Sequence, residues 1–164
     1  MLAIKVIAEG IGLGLIICLY CVLGIRKGAV GLVHLYSKEV RERVVMLGMT
    51  TENEIKKREK ALKAASALTY LAYVLICVCI INGAKGFATE FLQIFGILEI
   101  ANLIDRLIID ECWVGHSGQW VIPGTEDLRP YISSADKKKK WIAGTFGFAV
   151  IAAAVAGCIR LFVG

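Results

Sequence analysis

The chain has 164 residues, 57% of them hydrophobic, with a mean hydropathy of +0.69 and a formal net charge of +5. That apolarity is far above ordinary globular usage and excludes a typical water-soluble domain. The sequence reads as one all-α unit over residues 1-164, embedded in the lipid bilayer, with four spans at about 3-25, 64-84, 87-110 and 141-162.

The first span is apolar from Val6 to Ile25 except for Glu9. Lys5 ahead of it fits a signal peptide, but the apolar stretch exceeds the ~7–15 residues of a signal core. No small-x-small cleavage site stands out and Arg26-Lys27 follow directly, so an uncleaved anchor is expected. Cys18-x-x-Cys21 lies within it. No second C-x-x-C completes a four-sulfur site, and Cys77 and Cys79 would face different sides of a helix. The cysteines therefore read as small apolar packing residues, without structural disulfides.

Residues 26-63 are expected to extend both flanking helices as an αα-hairpin. Ala29 to Leu47 has no proline and keeps Val30, Val33, Val40, Val44 and Leu47 at three- to seven-residue spacings. Gly48-Met49-Thr50 interrupts it, and Thr51-x-x-Glu54 matches a capping box at the start of the returning helix. Ile55, Leu62 and Ala65 would pack the two arms together, with Lys56-Lys57-Arg58-Glu59-Lys60 as a solvated face.

Ala64 to Ala84 and Trp141 to Ile159 carry no charge, and each approaches the roughly 20 residues that cross a ~30 Å hydrocarbon core. Fifteen of the nineteen basic residues fall between spans one and two or between spans three and four; only Lys5, Lys85 and Arg160 fall on the other side, with Arg106 inside span three. The excess of basic residues predicts a multi-pass protein of the plasma (inner) membrane, both long loops cytoplasmic and both termini outside. Attraction to anionic inner-leaflet lipids accounts for the net charge, and no nucleic-acid partner is expected.

The third span carries Glu99, Asn102, Asp105, Arg106 and Asp110, and ionisable groups in hydrocarbon are costly enough to require a role. At 100° per residue, Glu99, Asn102, Arg106 and Asp110 fall within about 80°, and Asp105 widens the arc to about 140°. An inward face would let Arg106 pair with Glu99 or Asp110.

Residues 111-140 contain both prolines, two of the three tryptophans and one of the two histidines, so they read as an ordered cap loop over the cytoplasmic mouth of a four-helix bundle. Pro123-Gly124 supplies a turn, and Thr125 is expected to cap a short helix. Gly115-His116-Ser117-Gly118 lacks the strand-turn-helix setting of a serine nucleophile.

Where cap and span meet, Asp105, Asp110 and His116 are the candidate catalytic groups, as acid, base or ligands. Glu99, Asn102, Arg106, Glu111, Trp113, Trp120, Glu126 and Asp127 are the candidate ligand-binding residues. His34, His116 and Asp110 form a weak metal-ligand set, without the spacing of a known metal motif. No cofactor is identifiable from the residues.

Three functional classes follow. One is a small enzyme or ligand-binding protein acting at the cytoplasmic side on a lipid-like small molecule, with Arg106 holding an anionic group. A second is a proton-coupled exporter working as a homodimer: four spans with Glu9 in the first are broadly similar to the small multidrug-resistance exporters. An exporter of this kind would use Glu9, Glu99 and Asp105 as titrating sites; the resemblance covers architecture only, and Glu9 lies near the outer end of its helix. This chain is longer, and its hairpin and cap are unmatched. The third is a non-catalytic membrane assembly subunit whose polar face serves helix association.

Overall fold

The structure is a computed structural model in which residues 1–26, 28–132 and 134–162 are described. Lys27, counted above among the loop cations, lies outside the described residues. Of the described residues 84% are helical, with no strand among them. Its α-helices are α1 (Leu2–Ile25), α2 (Lys38–Met46), α3 (Glu52–Leu75), α4 (Phe87–Ile104) and α5 (Ser134–Phe162). A π-helical turn, Ile76–Ile81, prolongs α3; a second, Asp105–Val114, prolongs α4. Three helical stretches are long and apolar enough to cross a membrane: Leu2–Ile25, Glu52–Ile81 and Lys137–Phe162. Apolar residues stay exposed along them at helical spacing, such as Ile4, Ile7, Ile11, Leu15, Leu19 and Val22 on α1. A water-soluble fold would bury such a stripe.

The long helices alternate in direction. Tyr20 meets Thr69 and Tyr73 bonds the carbonyl of Glu9, so α3 returns antiparallel to α1. Glu99 meets Thr145 and Glu90 meets Arg160, so α5 runs antiparallel to α4. Helices α1 and α4 run parallel and very close. A Cβ added at Gly10 would lie 2.6 Å from Ile100 Cβ, and one at Gly14 would lie 2.6 Å from the Ile104 side chain. Two glycines four residues apart leave one face of α1 bare enough for another helix to seat against it. Helix α4 is the centre of this arrangement, burying Ile94, Ile97, Leu98 and Ala101 together with the polar Glu90, Gln93 and Asn102.

The segment after α1 departs from the expected helical continuation. Gly28, at φ 100°, ends the helix, and Ala29–Leu35 forms a 3-10 helix kinked at Leu32. Gly31 and the β-branched Val30 and Val33 make this stretch a poor α-helix former. It folds back instead of projecting: a Cβ on Gly24 would sit 2.6 Å from the Leu32 side chain. Only the arm from Glu52 is a continuous helix. Its capping box forms in part: Thr51 Oγ1 accepts from Glu54 N at 3.3 Å, while the Glu54 carboxylate accepts from the Thr50 hydroxyl at 2.8 Å.

The loop expected at 111-140 is shorter than its sequence span. Helical structure runs through His116, and α5 starts at Ser134, so the lysine run sits on the first turns of a helix. Between them, Trp120, Ile122 and Tyr131 are buried in one core with Val33, Tyr36, Val40, Val44 and Ile55. The Pro123-Gly124 turn forms with Gly124 at φ 82°. Thr125 precedes the 3-10 turn Glu126–Leu128 without capping it; its hydroxyl donates back to Ile122 O at 2.8 Å.

Candidate functional site

The polar end of α4 changes its winding where the charges are densest. In Asp105–Val114 the backbone follows π geometry, in which residue i bonds residue i+5. That stacks Asp105 and Asp110, which an α-helix would separate by about 140°. Arg106 binds the pair together. Its Nη1 donates to Asp110 Oδ2 at 2.6 Å, its Nη2 lies 3.4 Å from Asp105 Oδ2, and its Nε donates to Asn102 Oδ1 at 3.3 Å. All three guanidinium nitrogens are thus engaged within the protein, whereas the sequence placed an external anion on this side chain. Lys140, from the second turn of α5, approaches Asp110 Oδ2 to 3.8 Å.

These charges form one side of a pocket of about 200 Å³. Cys21 of α1 and Ile109 contribute apolar surface, and Tyr36, Trp120 and Tyr131 supply an aromatic wall. The Tyr36 and Tyr131 rings are 5.1 Å apart between centroids, and Trp113 meets Trp120 edge-on at 5.3 Å. The wall is held by its own hydroxyls: Tyr36 donates to Trp120 O at 2.7 Å, and Tyr131 pairs with Thr125 Oγ1 at 3.1 Å. Burial and the neighbouring Tyr131 push the Tyr36 phenol above its ordinary pKa, so it stays a donor. Trp120 is 1% exposed, and its indole Nε1 has no hydrogen-bond partner among the described residues.

Of the expected site residues, Asp105, Arg106, Asp110 and Trp120 come together here, with Asn102 one step behind Arg106 and Trp113 packed on Trp120. The others lie apart. His116 is exposed, its Nδ1 2.9 Å from Glu111 O, because the helix carries it past Asp110 and returns it to its own backbone. Glu111 pairs with Lys137, which holds its carboxyl below the ordinary range. Glu126 accepts from Gly124 N at 2.8 Å, and Asp127 bridges to Arg43 at 3.3 Å on the surface. Glu99 accepts from Thr145 Oγ1 at 2.7 Å, away from Arg106. His34 lies among groups of α2 and α3, with both ring nitrogens screened from solvent and unpartnered among the described residues. Among the described residues no group of three or more His, Cys, Asp or Glu side chains is placed to hold a metal ion.

Tyr36, Tyr131, Lys140 and Cys21 enter the site without having been expected there. Nothing in local spacing joins Tyr36 to Trp120 or Tyr131 across more than eighty positions. Lys140 was legible only as a membrane stop; the early start of α5 turns it towards Asp110.

The fold and site together define an all-helical protein with helices fit to cross a membrane and a mixed-charge, aromatic-walled pocket. No protein-family model matches the chain, and neither a curated protein nor a solved structure matches it.

Proposed function

We propose that this is a four-span plasma membrane protein, α4 being the least apolar span, whose pocket at the cytoplasmic side binds and acts on a lipid-like small molecule. The observation that carries this reading is the convergence of Asp105, Arg106, Asp110 and Lys140 with Tyr36, Trp120 and Tyr131 around one cavity. Apolar and aromatic surface would hold an amphipath's body, and the fixed charges would orient its polar end. Asp110, clamped by Arg106, is the stationary anion. Asp105, with the longer ion-pair contact, is the carboxylate suited to take up or hand over a proton. The positive-inside asymmetry supports the cytoplasmic placement, with the packed 117-132 segment as the cap.

Filling the cavity tests this reading. Native mass spectrometry of protein released from its own membrane should find a retained amphipathic molecule in the wild type and none in Val114→Trp, which places an indole in the pocket. Identical spectra from both folded proteins would end the proposal.

A second reading, proton-coupled transport, draws on a different observation. Gln93 Oε1, Glu99 Oε2 and Asn102 Nδ2 are screened from solvent along α4 and have no hydrogen-bond partner among the described residues. Groups of this kind need water or a mobile ligand to satisfy them. In reconstituted vesicles, Glu99→Gln should then abolish a pH-driven flux that the wild type shows; equal proton flux in both excludes this reading.

A further inference from the structure

The pocket's charges are unevenly committed, and that unevenness bears on what it accepts. Arg106 spends its guanidinium on Asn102, Asp105 and Asp110, so it positions carboxylates and offers little to an incoming anion. Asp105 receives only one long contact from it, at 3.4 Å. A carboxylate in that condition, beside aromatic rings whose hydroxyls are already bonded elsewhere, is suited to an ammonium group.

The groups around the mouth have the opposite character. A neighbouring cleft shares Tyr36, Tyr131 and Lys140 with the pocket and adds the cations Lys38, Arg41 and Lys139 against a single carboxylate, Glu39. Arg41 Nε is screened from solvent and has no hydrogen-bond partner among the described residues. Trp120 Nε1, inside the pocket, is in the same state. Two unpartnered donors with lysines beside them fit an acceptor-rich, multiply charged oxygen group such as a phosphate.

Resting on the ligand-pocket reading above, we infer that the site takes a zwitterionic amino-phosphate head group, its ammonium against Asp105 and its phosphate against Lys140 and Arg41. The chemistry is that of a phosphoethanolamine, carried either on an acyl chain or free in solution. The chain-bearing form suits the apolar lining better.

The test uses full-length protein in neutral maltoside micelles, with Trp113 and Trp141 changed to Phe so that Trp120 alone reports. The probes are lysophosphatidylethanolamine, dodecyl phosphate, dodecylamine and soluble phosphoethanolamine. The zwitterionic lysolipid should shift Trp120 emission at concentrations at least tenfold lower than dodecyl phosphate or dodecylamine. Asp105→Asn should weaken the lysolipid about tenfold and leave dodecyl phosphate unchanged; Lys140→Gln should weaken both. Asp105→Glu, which keeps the charge, should restore most of the loss and guards against misfolding as the cause. An equal response to soluble phosphoethanolamine would uphold the head-group chemistry and assign a soluble source. Equal binding of dodecyl phosphate, indifferent to Asp105→Asn, overturns the zwitterion while leaving the pocket intact. No Trp120 response to any chain-bearing probe overturns the pocket reading itself.

Discussion

Tyr36 donates its hydroxyl to the backbone carbonyl of Trp120 at 2.7 Å, and both residues are almost wholly buried. This bond fastens the fold-back segment after α1 to the segment between α4 and α5. Phenylalanine at position 36 would keep the ring contact with Tyr131 but leave the Trp120 carbonyl without its donor. Tyr36→Phe should therefore cost about 1–3 kcal/mol. The loss should appear as a lower unfolding temperature in detergent and faster proteolysis near Pro123-Gly124, with the long helices still assembled.

Arg106 neutralises two carboxylates stacked by a π turn, so removing it alone is worse than removing the whole cluster. Arg106→Leu should destabilise the protein by on the order of 3 kcal/mol, because the partly buried Asp105 loses its ion-pair partner and Asp110 keeps only the longer contact with Lys140. Adding Asp105→Asn and Asp110→Asn should recover most of that loss. Thermal unfolding of the single and triple variants decides it, and a triple variant weaker than the single one contradicts the account.

Glu90 and Arg160 form a fork of two hydrogen bonds between α4 and α5, at 2.7 and 3.2 Å, but their surroundings differ. Glu90 is 2% exposed, whereas the Arg160 side chain is 38% exposed. An unpaired Arg160 can extend towards water; an unpaired Glu90 cannot. Arg160→Ala should consequently destabilise more than Glu90→Ala, by about 2 kcal/mol in unfolding experiments.

His34 carries a pH signature. Burial lowers its pKa, and the cations Lys63, Arg41 and Arg58 act in the same direction against the opposing Glu59. The unfolded chain therefore binds a proton at higher pH than the folded one does. Stability is complete above the ordinary histidine value of about 6.5 and declines as pH falls from there towards the lowered folded pKa. Melting temperatures between pH 7.5 and 5.5 should drop more for the wild type than for His34→Gln.

The contact of α1 with α4 leaves no space for a methyl group at Gly10, whose added carbon would also lie 3.2 Å from the Ile97 carbonyl oxygen. Gly10→Ala should destabilise by about 1–3 kcal/mol despite its better helix propensity. Gly157→Ala, where nothing lies within 4 Å of the added carbon, should not; comparing the two melting temperatures separates packing from propensity.

The apolar helices were legible because Ala64 to Ala84 and Trp141 to Ile159 are free of charge over nearly a bilayer's thickness, a signal that needs no tertiary information. The gathering of Asp105, Arg106 and Asp110 was legible only in part, since projection at 100° per residue cannot anticipate a change of winding. His116 misled for a related reason: nearness in sequence to Asp110 does not survive a helix that continues past it. The glycines of α1 do carry a local signal, the small-xxx-small spacing of Gly10 and Gly14, which attention to charge passes over. Tyr36 and Tyr131 carry none, because their meeting depends on a fold-back at Gly28 and a packed segment ninety-five positions away.

The parallel pairing of α1 with α4 also constrains biogenesis. These two helices are separated in the chain by α2 and α3, so they cannot dock as a hairpin during synthesis and must find each other after the intervening segments have emerged. A helix that buries Glu90, Gln93 and Asn102 relies on its packing partners to shield and pair them. Those partners are synthesised both before and after it, so a truncation ahead of α5 would leave Glu90 without Arg160 and Glu99 without Thr145.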